Sequence, residues 1–172
     1  AGTFRKRPTI YLGGESEPAR ALAADHADVW FINGQPLEDV AALIADVARR
    51  PASNGPLRYG LSAFVIARDS DAEAEAEHAR LLALAQRDAD LRADTRARTD
   101  QASVMFAKTD AAASRHVGTN GGTAAGLVGS YATVAERIRA FHAAGIELFM
   151  LQFQPFEAEM RRFAEQVLPR VR

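Results

Sequence analysis

The chain has no cysteine among its 172 residues, which excludes disulfides, thiolate metal sites and a cysteine nucleophile. It also lacks an excess of charge of either sign. With 21 Lys and Arg against 22 Asp and Glu, the formal net charge of −1 gives no electrostatic footprint for nucleic acid. The four histidines, His26, His78, His116 and His142, include no pair at i,i+3 or i,i+4, which argues against a metal centre. No apolar run approaches membrane-spanning length, and the basic start AGTFRKRPT has no hydrophobic run behind it of the kind a secretory signal needs. These absences predict a cytoplasmic protein with no metal and no nucleic-acid or membrane partner. What remains, 48% apolar and 25% charged residues, is the composition of one soluble globular domain spanning 1–172.

Apolar strand patterns alternate with helical ones along the chain. Residues 9–12 read as a strand, Gly13-Gly14 as a turn, and 17–26 as a helix, with Ser16 a natural N-cap and Pro18 in the first turn. Residues 28–32 and 58–68 predict further strands. The run Phe64-Val65-Ile66 lacks alternation, as expected of a strand buried on both faces of a parallel sheet. Helices are expected over 37–49, 69–94, 132–144 and 157–168, and a fourth strand over 148–153. Glu73, Glu75 and Glu77 read as a solvated helix face. Residues 95–125 have weak periodicity and read as a long insertion of the kind that often forms a lid. The order β-α-β-α-β-α-(loop)-α-β-α points to an α/β protein with a parallel sheet. Periodicity leaves two forms open, half of a (β/α)8 barrel or a small open doubly wound sheet.

Ligands of such sheets sit beyond the carboxyl ends of the strands, so 13–16, Asn33-Gly34, the loop after Arg68 and 152–156 are the candidate positions. In the first, Gly14 permits close backbone approach, the helix N-terminus favours an anion, and Ser16 adds a hydroxyl. The same residues also make an ordinary capped turn. Gln152 and Gln154 share a face of the last strand, where they offer amides to a polar ligand or to loop backbone, and Ser62 and Phe64 share a face of the third. No residue reads as a convincing catalytic acid or base.

Several segments, in order, resemble the C-terminal half of the bacterial luciferase-like flavin monooxygenases, and in particular the dimethyl sulfone and alkanesulfonate monooxygenases. They are PTIYLGGESE at 8–17 with AADHADVWF after it, RYGLSAFVIARD at 58–69, NGGTAAGLVGS at 120–130 and LQFQPFEAEMRRFA at 151–164. The resemblance implies a C-terminal half-barrel holding strands five to eight of a (β/α)8 fold, with 95–125 as a mobile insertion between strands seven and eight. It implies reduced FMN as cofactor, with its phosphate held at Gly14, Glu15 and Ser16, and a separate flavin reductase as partner. The implied activity is oxidation of a small organosulfur compound by O2 with C–S bond cleavage, in a homo-oligomer. Where the alkanesulfonate enzymes have an Arg and a His on strand seven, this chain has Ser62 and Phe64; their lid Arg is matched by Asn120 and their Tyr after strand eight by Gln154. Without those cations a sulfonate is poorly served and a neutral sulfone is better suited, with Ser62, Asn120, Gln152 and Gln154 as pocket residues. A related flavin or deazaflavin barrel with another substrate, and a non-catalytic half-barrel that needs a partner, are the alternatives.

Overall fold

A computed structural model describes residues 7–53, 55–87 and 116–172. Strand β1 (Tyr11–Gly13) leads through a tight turn into helix α1 (Glu17–His26). Ser16 caps this helix with its hydroxyl oxygen accepting from the Ala19 N–H at 3.4 Å. Strand β2 (Val29–Ile32) is followed by α2 (Leu37–Ala48), which buries Val40 and Val47 at helical spacing. Next come β3 (Arg58–Phe64), β4 (Ile66–Arg68), α3 (Asp71–Arg87), a 3₁₀ turn (Gly122–Ala125) and β5 (Val128–Ser130). Helix α4 (Tyr131–Ala143) is capped by Ser130, β6 (Ile146–Gln152) follows, and α5 (Phe156–Arg162) continues through a π-helical stretch (Phe163–Val167) into α6 (Leu168–Val171).

Four strands pair in parallel in the order β1-β2-β3-β6, with Leu12 opposite Trp30, Trp30 opposite Tyr59, and Leu61 opposite Phe149. The order follows the chain without a reversal. That is the wall of a (β/α)8 barrel, since a doubly wound sheet reverses its order at a switch point. Four βα units therefore form half of such a barrel. Both edge strands, β1 and β6, lack a further strand among the described residues.

The two sheet faces differ. Leu12, Trp30, Ile32, Leu61 and Ala63 face the helices and join Val40, Val134, Ile138 and Phe141 in the main core. Register places Tyr11, Phe31, Ser62, Met150 and Gln152 on the other face. There Tyr11 is 56% and Met150 48% exposed, an apolar face left open by these elements alone.

The strand expected over 58–68 is broken at Val65, whose N–H still bonds the Gln152 carbonyl. Strand β6 ends at Gln152, so Ile66–Arg68 of β4 have no neighbour in the main sheet and pair instead with β5, which the sequence pattern did not reveal. A three-residue strand containing a glycine gives almost no periodic signal. Of the expected insertion at 95–125, residues 95–115 lie outside the described residues, as do residues 88–94 of the expected third helix.

Candidate functional site

The strand ends gather the candidate residues, beginning at the β1–α1 turn. Gly14 has φ 112°, which favours glycine, and a side chain there would also press within 3.1 Å of the Ala19 Cβ. Trp30, fully buried, donates its indole N–H to the Gly14 carbonyl at 2.9 Å and fixes the turn to the core. Trp30→Phe removes this bond and leaves a cavity where the larger ring was, and a loss of about 2–4 kcal/mol is expected in a denaturant titration.

Glu15 is only 8% exposed. Its carboxylate accepts from the Asn33 N–H at 2.9 Å and from the Gln35 amide at 3.1 Å, tying this turn to the loop after β2. That engagement makes the backbone, rather than the side chain, what Glu15 has to offer an anion. Ser16 stands at the helix N-terminus, where its hydroxyl accepts from Ala19 and keeps its own proton to donate.

Glu17 brings a negative charge to the same place, and two arginines answer it. Arg50 grips its carboxylate with two bonds of 2.7 and 2.8 Å, and Arg20 adds one of 2.9 Å. The Arg50 guanidinium holds the Glu17 carboxyl below the usual carboxylate range, so it stays ionised and paired near neutral pH. Asp46 links the same two arginines at 2.8 Å each.

The β2 loop then meets the segment that re-enters at residue 116. The Gly34 N–H donates to the Asn120 carbonyl at 2.8 Å, and Asn120 takes φ 51°, a conformation asparagine tolerates. Gly121, at φ 84°, lies so close that any side chain would run into the Gly34 carbonyl. Farther along, Gln152 donates to the Thr119 carbonyl at 3.0 Å and to the Ser62 hydroxyl at 3.3 Å. Its side-chain amide oxygen accepts from the Thr119 N–H at 3.0 Å and hydroxyl at 3.2 Å. Ser62 is 2% exposed, whereas Gln154 is exposed just beyond β6. Phe64 is core, packed with Ile66, Val117 and Val128.

One polar rim therefore crosses all four strand ends: Gly14 to Ser16, then Asn33-Gly34, then Thr119-Asn120, then Gln152 and Ser62. Sequence reasoning placed its members singly but missed their connections. Thr119 carried no signal, and Glu15 showed no sign that its side chain is an anchor. Glu77, expected on a solvated face, instead pairs with Arg80 at 2.7 Å and lies 3.5 Å from Arg68, which binds the buried Glu159 of α5 at 2.6 Å. Among the described residues no group of three or more His, Cys, Asp or Glu could hold a metal, and no helix is long and apolar enough to cross a membrane.

Comparison with known proteins agrees with this geometry. The FMNH(2)-dependent dimethylsulfone monooxygenase of Pseudomonas putida is 34% identical over 172 residues, covering 98% of this chain and 47% of the relative. Its counterpart from Pseudomonas fluorescens (strain Pf0-1) is 35% identical over 170 residues, covering 96% and 47%. The chain thus spans about half the length of these curated relatives. Among solved structures, DmoA from Hyphomicrobium sulfonivorans superposes with a TM-score of 0.64 at 20% identity, over 94% of this chain and 41% of that one. The long-chain alkane monooxygenase LadA gives 0.61 at 21% identity, over 94% and 40%. The sequence model of the family described as luciferase-like monooxygenase matches residues 2–148. With its half-barrel wall and the rim across its strand ends, the chain belongs to the luciferase-like monooxygenase family.

Proposed function

We propose that the protein to which this chain belongs is a reduced-FMN-dependent monooxygenase that oxidises a small neutral organosulfur compound, a sulfone, with cleavage of a C–S bond. The observation that carries this reading is the 34–35% identity to dimethylsulfone monooxygenases across nearly the whole chain. Bound reduced flavin would supply the two electrons with which one oxygen atom of O2 enters the substrate and the other leaves as water.

The residues present fit that cofactor. The Gly14–Ser16 turn, at the head of a ten-residue helix, can receive the flavin phosphate on backbone N–H groups and the Ser16 hydroxyl. Pairing with Arg50 and Arg20 offsets the charge of Glu17, and the Glu15 carboxylate is turned toward the Asn33 N–H and the Gln35 amide of the loop after β2. Ser62, Asn120, Gln152 and Gln154 form a substrate wall of neutral polar groups with no cation among them, which suits a sulfone and serves a sulfonate poorly. The open apolar face at Tyr11 and Met150 calls for further strands to enclose the flavin and exclude water, so the chain by itself is expected to be inactive. A separate flavin reductase would supply the reduced cofactor, in the cytoplasm, to a homo-oligomer.

The test is a panel of dialkyl sulfones and alkanesulfonates, offered to the full-length enzyme with a flavin reductase. Oxygen-dependent turnover of short sulfones is expected. Turnover confined to alkanesulfonates would overturn the substrate class, and absence of flavin binding would overturn the activity.

A further inference from the structure

We propose that Gln152 is a positioning residue, which latches Thr119 and so sets Asn120 over the strand ends, and that it does not itself bind substrate. The inference rests on the substrate wall proposed above and changes what one of its members does there. A glutamine side chain has two donor hydrogens and two acceptor lone pairs. In Gln152 all four are committed. The amide nitrogen donates to the Thr119 carbonyl and the Ser62 hydroxyl, and the amide oxygen accepts from the Thr119 N–H and hydroxyl. The backbone of Thr119 also fixes which end of the amide is which, because a carbonyl can only accept and an N–H can only donate.

Three of these four bonds fall on one residue, so the amide grips Thr119 as a neighbouring strand would. The grip also crosses the sheet end. Gln152 ends β6, Ser62 lies on β3, and the next residue after Thr119 bonds the loop that follows β2 through its carbonyl. Asn120 is thus held on both sides, by Gln152 through Thr119 and by Gly34. No capacity is left on Gln152 for a sulfone oxygen, whereas the Ser62 hydroxyl, which accepts from Gln152, still has its proton to give.

The experiment uses the full-length enzyme with Gln152→Leu, which removes all four bonds, and Gln152→Glu, whose ionised carboxylate keeps the size and the two accepting bonds but lacks the two donors of the amide nitrogen. Amide hydrogen exchange, measured without substrate, should rise about 10- to 100-fold at Thr119 in Gln152→Leu and less in Gln152→Glu. In steady-state kinetics KM for the sulfone should rise about tenfold, with flavin affinity and kcat within about twofold of the parent enzyme. Thr119→Val, which deletes only the hydroxyl, should raise KM a few-fold in the parent and not at all in the Gln152→Leu background. Unchanged exchange at Thr119 in both Gln152 variants would overturn the latch. Faster exchange with KM unmoved would overturn the positioning role, and a raised KM with exchange unchanged would make Gln152 a direct ligand. The exchange measurement needs no substrate, so it decides the latch even where the sulfone assignment fails. If Gln152→Leu does not fold, Gln152→Ala, which removes the same four bonds including the one to the Thr119 N–H, carries the test.

Discussion

Ser16→Asp is expected to weaken FMN binding by at least about 100-fold while leaving the fold as stable as before. Asp and Ser are comparable N-caps, so the substituted carboxylate keeps the bond to the Ala19 N–H and α1 begins where it did. What changes is the interaction with an anion. The hydroxyl that can donate to a phosphate oxygen becomes an acceptor carrying charge. Losing a hydrogen bond to a charged group costs about 1.5–3 kcal/mol, and repulsion adds to it, whereas about 1.4 kcal/mol already corresponds to tenfold in affinity. Flavin titration by fluorescence quenching and a thermal melt of the full-length enzyme check the two halves of the prediction together. Ser16→Ala is the complementary variant: it loses both cap and donor, so flavin affinity should fall about 10- to 100-fold and stability by about 1 kcal/mol. Unchanged affinity in Ser16→Asp would show that the phosphate lies elsewhere, whatever its effect on the melt.

That a capped turn and a phosphate cradle can be the same residues explains how far the sequence could be read here. The turn itself was legible, because Gly14, Ser16 and Pro18 each have a local reason to be where they are. Helix α1 begins where capping predicts, and the four parallel strands follow from apolar runs separated by helical patterns. Choosing a barrel wall over an open sheet needed strand order, which periodicity does not carry. The tertiary bonds were not legible for a related reason. Glu15 next to Ser16 looks like one more polar residue at an anion site, yet its carboxylate reaches a loop eighteen residues away. Gln152, a polar residue on an apolar strand, reads equally as a ligand or as a partner of loop backbone, and the backbone it does bond, that of Thr119, is thirty-three residues distant in a stretch with no periodicity. Side-chain bonds of that range leave no mark on local pattern, so residue type indicated polarity at the rim without saying what it was for.

Gly121→Ala should produce the second large effect, at the opposite side of the same rim. The left-handed conformation at φ 84° costs an L-residue about 1–2 kcal/mol, and the added methyl would meet the Gly34 carbonyl, a backbone atom that cannot swing aside. The Asn120–Gly122 turn must therefore lift from the β2 loop, breaking the Gly34-to-Asn120 bond. The strand side chains of the main core, Trp30, Ile32, Leu61 and Ala63, lie on the other face of the sheet, and only Ala125 and Leu127 join that core from this side, so cooperative unfolding should shift less than the local exchange does. Exchange of the Gly34 amide should accelerate by more than about tenfold, and KM for substrate should rise at least as far. Asn120→Gly separates docking from recognition. Glycine accepts φ 51° and keeps the carbonyl that bonds Gly34, so the turn should stay seated while the side-chain amide is lost. Protection at Gly34 should then be unchanged in Asn120→Gly, and any rise in KM there measures what the Asn120 amide contributes to substrate. If Gly121→Ala leaves both Gly34 exchange and KM at their parent values, the rim is not held together at this point, and the close approach of Gly121 to Gly34 has no part in forming the site.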